Sequence, residues 1–253
     1  MSVCFYCMHL FRISDQRRDE ITRSKSIYRF TPFLFSLRWM FKIIYDRVEV
    51  SMDNIQILII DLGSQYTLVI GRTLRELGFR SIILSPKRAS DWLGHNKPKG
   101  IILSGGSASV YQENAPFPPE KILKLKVPVL GICYGMQWLA YRLGGSIVPH
   151  REKKEYGRAR VKFDAKDKLF LDLKGENTVW ASHGDSVDKI PTGFKKIAWS
   201  KNNQVIAGMS NPGKRIWGIQ FHPEVIQTNK GKDILWRFSK NISGCREIGR
   251  AHV

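Results

Sequence analysis

Cysteine is scarce: the 253-residue chain holds four, and only Cys133 falls between Met52 and Ser243. So few, two of them near the start and one near the end, exclude a disulfide framework and make a reducing, cytoplasmic setting the expectation. Metal-ligand spacing is lacking too. His95, His150, His183 and His222 fall at no interval that closes a zinc site around one thiolate, so neither a metal nor a cofactor is expected in this chain. No apolar run reaches the ~20 residues of a membrane span, and Arg38 and Lys42 break the stretch from Phe30 to Tyr45, so no membrane association is expected.

Acidic residues are also few, 22 against 41 Lys and Arg, for a formal charge of +19. That excess raises a basic nucleic-acid-binding module as one class of function, which salt-dependent binding would reveal. Nine Lys or Arg against five Asp or Glu lie in residues 1–51, and two against one after 243, so a surplus of 14 belongs to residues 52–243. There Lys121, Lys124, Lys126, Arg151, Lys153 and Lys154 show no basic repeat and no stacking-aromatic motif. A solvated surface, or a docking face for a nucleotide-bearing partner, explains them better than nucleic acid.

The length suits one α/β domain with a substantial core and little left for a second. Strand patterns at Ile55 to Asp61, Ser81 to Leu84, Gly100 to Leu103 and Val127 to Ile132 alternate with helical ones at Tyr66 to Leu77 and Met136 to Leu143. This predicts a mostly parallel central sheet flanked by helices. Arg158 to Phe163, Val179 to Ser182, Lys195 to Ser200 and Gln204 to Met209 read as antiparallel additions, and Lys230 to Ile242 as a closing amphipathic helix. Residues 1–51 show no sustained period. They are expected to be a leader outside the domain, with translation starting at Met52. A transit peptide fits less well because of Asp15, Asp19 and Glu20. The run Glu247-Ile-Gly-Arg-Ala-His-Val253 matches the translation of a common sequencing adaptor, so 244–253 is expected to be an artefactual tail on a domain of 52–243.

Cys133 sits in Val127-Pro-Val-Leu-Gly-Ile-Cys-Tyr-Gly-Met-Gln137, an apolar strand running into Gly-x-Cys-x-Gly and a helix. The glycines permit a nucleophile elbow, and the helix N-terminus directs unpaired N–H groups and its positive dipole end at the sulfur. A buried core thiol is the plain alternative. Arg215-Ile-Trp-Gly-Ile-Gln-Phe-His-Pro-Glu-Val225 reads as a strand ending in His222, Pro223 and Glu224. Such a histidine takes a thiol proton while a carboxylate two residues on fixes its tautomer. In Ile101-Ile-Leu-Ser-Gly-Gly106 paired glycines let backbone approach a ligand. Turns at 63, 105 and 132 fall on one sheet edge if their strands are parallel, where α/β sites collect.

Asp61-Leu-Gly-Ser-Gln-Tyr66, Leu103-Ser-Gly-Gly106, Gly131-Ile-Cys-Tyr-Gly-Met-Gln137, Ser182-His-Gly-Asp185 and Phe221-His-Pro-Glu224 together resemble class I glutamine amidotransferases. Among these the Cys-Tyr-Gly-Met-Gln and Ser-His-Gly-Asp forms are most similar to the glutaminase domains of the GMP synthase family. The resemblance implies a Cys133, His222, Glu224 triad that releases ammonia from L-glutamine through a thioester. It implies an oxyanion hole of the Gly106 and Tyr134 N–H groups, and glutamine binding by Gly105, Gln137, Ser182, His183, Gly184 and Asp185. It further implies an ATP-pyrophosphatase partner, fused or separate, that carries XMP, ATP and Mg2+. No Ser-Gly-Gly-Val-Asp loop of that partner occurs in this chain, so isolated activity is expected to be low. Glutaminases for anthranilate, aminobenzoate or carbamoyl phosphate synthesis are the alternatives within the family. Three positions depart from the family pattern: Leu62 replaces a usual phenylalanine, Ser107 a common proline and Gln227 a frequent histidine. None removes a catalytic atom, although Ser107 frees a turn that proline would restrict.

Overall fold

The computed structural model describes residues 54–149, 155–200 and 205–248; the expected leader at 1–51 and the last five residues of the expected tail lie outside them. Four strands, β1 (Ile57–Ile60), β3 (Gly100–Leu103), β4 (Val129–Ile132) and β11 (Ile216–Ile219), are buried along their whole length. Continuous apolar runs of this kind belong to parallel strands covered on both faces. With β2 (Ser81–Leu84) at one edge they form the parallel half of a nine-stranded sheet, ordered β2-β1-β3-β4-β11. The sheet then turns antiparallel through β10 (Ile206–Asn211), β9 (Lys195–Ser200), β6 (Glu155–Phe163) and β7 (Glu176–His183). β7 alternates buried and partly exposed residues, as a strand with one solvent face does. A separate antiparallel pair joins β5 (Ser146–Pro149) to β8 (Asp185–Lys189).

The two-residue strand period divides the core. Ile57 and Ile59 face α1 (Thr67–Glu76) and α4 (Gly231–Arg237), packing with Ile70, Leu74, Ile234 and Leu235. Leu58 and Ile60 face the other way, toward α2 (Pro86–Trp92) and α3 (Tyr134–Arg142), with Trp92, Met136 and Leu139. The α/β class, the mostly parallel centre, the flanking helices and the antiparallel additions are therefore all present. α4 continues into a π-helical turn over Phe238–Ile242. Packing does not stop at Ser243: Cys245 is buried, Ile248 N–H donates to Gly78 O at 2.8 Å, and Gln56 brackets Arg246 with two side-chain hydrogen bonds to its backbone. No helix among the described residues is long and apolar enough to cross a membrane.

Candidate active site

Because β1, β3, β4 and β11 are mutually parallel, their C-terminal ends open on one edge. Cys133 follows β4 directly. Its N–H extends the sheet ladder to Ile219 O at 2.7 Å, and its carbonyl accepts from Gln137 N–H at 3.1 Å to start α3. Serving strand and helix at once forces φ 50° and ψ −107° onto Cys133 itself. The flanking glycines thus have a different role from the one read in the sequence: they admit close packing rather than supply the turn. A Cβ on Gly131 would lie 2.5 Å from the Gly135 carbonyl carbon, and one on Gly135 would lie 2.6 Å from Leu103 O. The strain at Cys133 makes a prediction. Cys133→Gly is expected to be more stable than Cys133→Ala by about 1 kcal/mol, since only glycine occupies such a conformation freely. Urea midpoints of the two variants check it, and equal midpoints would count against strain.

His222 lies three residues beyond the end of β11, in a loop rather than at the strand end that the sequence implied. The loop is stitched to β7: His222 N–H donates to Trp180 O at 3.0 Å, Thr228 Oγ1 donates to His222 O, and Trp180 N–H donates to Thr228 Oγ1 at 2.9 Å. The imidazole stands between its two expected partners. Nδ1 is 2.7 Å from Glu224 Oε1, and the ring is also hydrogen-bonded to the Cys133 side chain. Burial opposes the imidazolium, but the bonds to Cys133 and Glu224 outweigh it and hold the His222 pKa up, at about 10. The Tyr66 ring meets His222 edge-on at 5.1 Å. Cys133 is 2% exposed, yet it forms part of the wall of a cavity of about 530 Å³.

Gly106, Gln137, Ser182, His183, Gly184 and Asp185 line the same cavity, with His222. Glu224 stands behind His222 with its side chain fully buried. Gly105 packs under the pair: a Cβ there would come 3.0 Å from His222 Cε1 and 3.6 Å from Cys133 Cβ. Ser104 Oγ, accepting from Leu62 N–H at 2.8 Å and donating to Gly105 O at 2.9 Å, fixes this turn. Tyr134 opens α3, so its N–H is among those left without an intrahelical partner. Its side chain points elsewhere, to Pro116 O at 3.1 Å. Gln137 Nε2 donates to Asp185 O at 2.8 Å, tying α3 to β8. All eleven predicted residues therefore gather at this edge. The sequence reading gave no role to Ser64, Tyr66, Ser109 or Gln112, which line the cavity, nor to Gln220, which touches the sulfur. For Gln220 a signal existed: it is the polar residue in the apolar run Ile216 to Phe221, and buried polar groups are the informative ones. Among the described residues no group of three or more His, Cys, Asp or Glu is placed to hold a metal.

A strained thiol at a strand-to-helix elbow, backed by an imidazole and a carboxylate, on a mostly parallel sheet, is an arrangement suited to nucleophilic chemistry. The model of the class I glutamine amidotransferase family matches residues 58–242, and the chain belongs to that family. It is 46% identical over 189 residues to a GMP synthase [glutamine-hydrolyzing] of Prochlorococcus marinus (strain MIT 9215), covering 75% of this chain and 36% of that protein. The corresponding enzyme of Campylobacter hominis is 45% identical over 194 residues, 77% of this chain and 38% of that one. This chain thus spans little more than a third of the curated relatives it matches. A crystal structure from Thermoplasma acidophilum, of a protein assigned as one subunit of GMP synthase, superposes with a TM-score of 0.64 at 31% identity, covering 75% of this chain and 94% of that one.

Proposed function

We propose that this domain is the glutaminase component of a GMP synthase, hydrolysing L-glutamine to glutamate and ammonia for the ATP-dependent amination of XMP. The observation that carries the chemistry is the imidazole of His222 held between Glu224 at 2.7 Å and Cys133. His222 already holds the proton taken from Cys133, and the sulfur attacks the side-chain carbonyl carbon of glutamine as thiolate. The C–S bond forms, and the carbonyl electron pair moves to oxygen, where the N–H groups of Gly106 and Tyr134 receive it. Such a donor contributes about 2.7–4 kcal/mol in a serine protease. The C–N bond then breaks as His222 returns its proton to the leaving nitrogen, giving ammonia and a thioester. Water, deprotonated by His222, attacks the thioester carbon and restores the thiol with release of glutamate. Gly105, Gln137 and the Ser182 to Asp185 segment shape the cavity for the amino-acid end of glutamine.

The acceptor is an ATP-pyrophosphatase domain or subunit carrying XMP, ATP and Mg2+, and the relatives' names support it. A cytoplasmic setting accords with the sparse cysteines. The test supplies full-length chain with glutamine, XMP, ATP, Mg2+ and a GMP synthase ATP-pyrophosphatase lacking its own glutaminase. Glutamine-dependent GMP formation is expected. Glutamate release without GMP would keep the glutaminase and remove the acceptor.

A further inference from the structure

Cys133 Sγ has two hydrogen-bonding neighbours besides His222. It donates to Ser182 O at 3.7 Å and accepts from Gln220 Nε2 at 3.8 Å. These contacts pull in opposite directions. A carbonyl oxygen favours the protonated thiol and repels the anion, whereas an amide N–H favours the anion. Gln220 is 1% exposed, its backbone N–H is fixed to Ala207 O at 3.0 Å, and its Oε1 is buried without a hydrogen-bond partner among the described residues. An apolar side chain would fill this place without leaving a buried oxygen unpaired, a costly arrangement. What the amide adds is its donor to sulfur. Turning it over would set Oε1 against the sulfur together with the Ser182 carbonyl.

We infer that Gln220 is a positioning residue that steadies the thiolate form of Cys133 against the opposing Ser182 carbonyl. The inference rests on reading Cys133 as the nucleophile. The other titratable groups around the sulfur are His222 with Glu224 behind it, His183 and Asp185 where β7 gives way to β8, and Tyr66 ahead of α1. They are common to the wild-type protein and the variants, so a comparison isolates Gln220.

The test is iodoacetamide alkylation of Cys133 in the full chain across pH, followed by the mass of its peptide so that the other cysteines do not count. Gln220→Met keeps the length of the side chain and removes the donor. The midpoint of its profile is expected to rise by roughly one pH unit, with about a tenfold slower reaction below the midpoint. Gln220→Glu keeps the shape, exchanges the donor for a carboxylate, and is expected to move the midpoint further. Where hydrolysis is measured, kcat falls while KM for glutamine holds. If Gln220→Met does not fold, Gln220→Glu carries the test. An unmoved midpoint in a folded variant overturns the inference, and so does loss of fold in both, which would make Gln220 a packing residue. Wild-type protein that alkylates at Cys133 with the expected dependence on Gln220, yet never releases glutamate, would sink the glutaminase reading and leave this one standing.

Discussion

Cys133→Ala is expected to abolish glutamine hydrolysis while the protein stays folded and keeps its cavity. Removing the nucleophile of a serine protease costs about 10⁶-fold in kcat, and a thiol that forms the only covalent bond to substrate has the same standing. Among the described residues no second thiol is placed to rescue it. Among the described residues the other cysteine is Cys245, which lies near Lys99 and the strand starts, at the opposite end of the sheet from the site. Burial pushes its pKa up to about 11, so it is a protonated, poor nucleophile at neutral pH. The residual rate of the variant comes from the oxyanion donors and binding alone. Glutamate release is read with and without the ATP-pyrophosphatase partner, alongside circular dichroism. Undiminished release by a folded variant would remove Cys133 from the mechanism.

Local motifs pointed to Cys133, His222 and Glu224 because each sits in a short segment whose geometry is set within a few residues. Cys133 is fixed by β4 and the first turn of α3, and Glu224 reaches His222 from two positions away. Gly-x-Cys-x-Gly was legible as an elbow, but the role of its glycines was not. Their close contacts are with Leu103 and with the far side of the turn, which no periodicity reveals. Tyr66 and Gln220 were missed for the same reason. Tyr66 meets His222 across 156 positions, and Gln220 meets Cys133 across 87. The regular elements show a similar division. Strands buried on both faces announced themselves as apolar runs, and β2, β3 and β9 have the bounds read from the sequence. α2, only seven residues long, buries Ala89 and Trp92 alone, too few to make a helical period, although Ser85 and Pro86 form a start signal. β8, Asp-Ser-Val-Asp-Lys, carries too little apolar character to read as a strand and is held by pairing with β5.

His222→Asn is expected to lower hydrolysis by about 10²–10⁴-fold, the range that a positioned acid and base contributes. It also changes two pH dependences whose signs follow from the structure. Burial pulls the histidine toward its neutral form, yet the bonds to Cys133 and Glu224 prevail and raise its pKa from 6.5 to about 10. A group with a raised folded pKa contributes stability that is fully present below the unfolded value. That contribution is lost as pH rises through the folded value. Wild-type protein should therefore lose stability across the window from pH 6.5 to about 10, and His222→Asn should lack that part of the slope. In the proposed mechanism the same proton is delivered to the leaving ammonia, so the alkaline limb of wild-type hydrolysis is expected to fall as pH rises through about 10. Glu224→Gln keeps the size of the partner but removes its charge, which draws the His222 pKa down and moves that limb toward neutral pH. The variant should retain more activity than His222→Asn at neutral pH, because the imidazole is still present to exchange protons with the sulfur. Urea denaturation and initial rates across pH 6–11 measure both effects. An alkaline limb that stays in place in Glu224→Gln would mean that the carboxylate orients the ring without setting its charge.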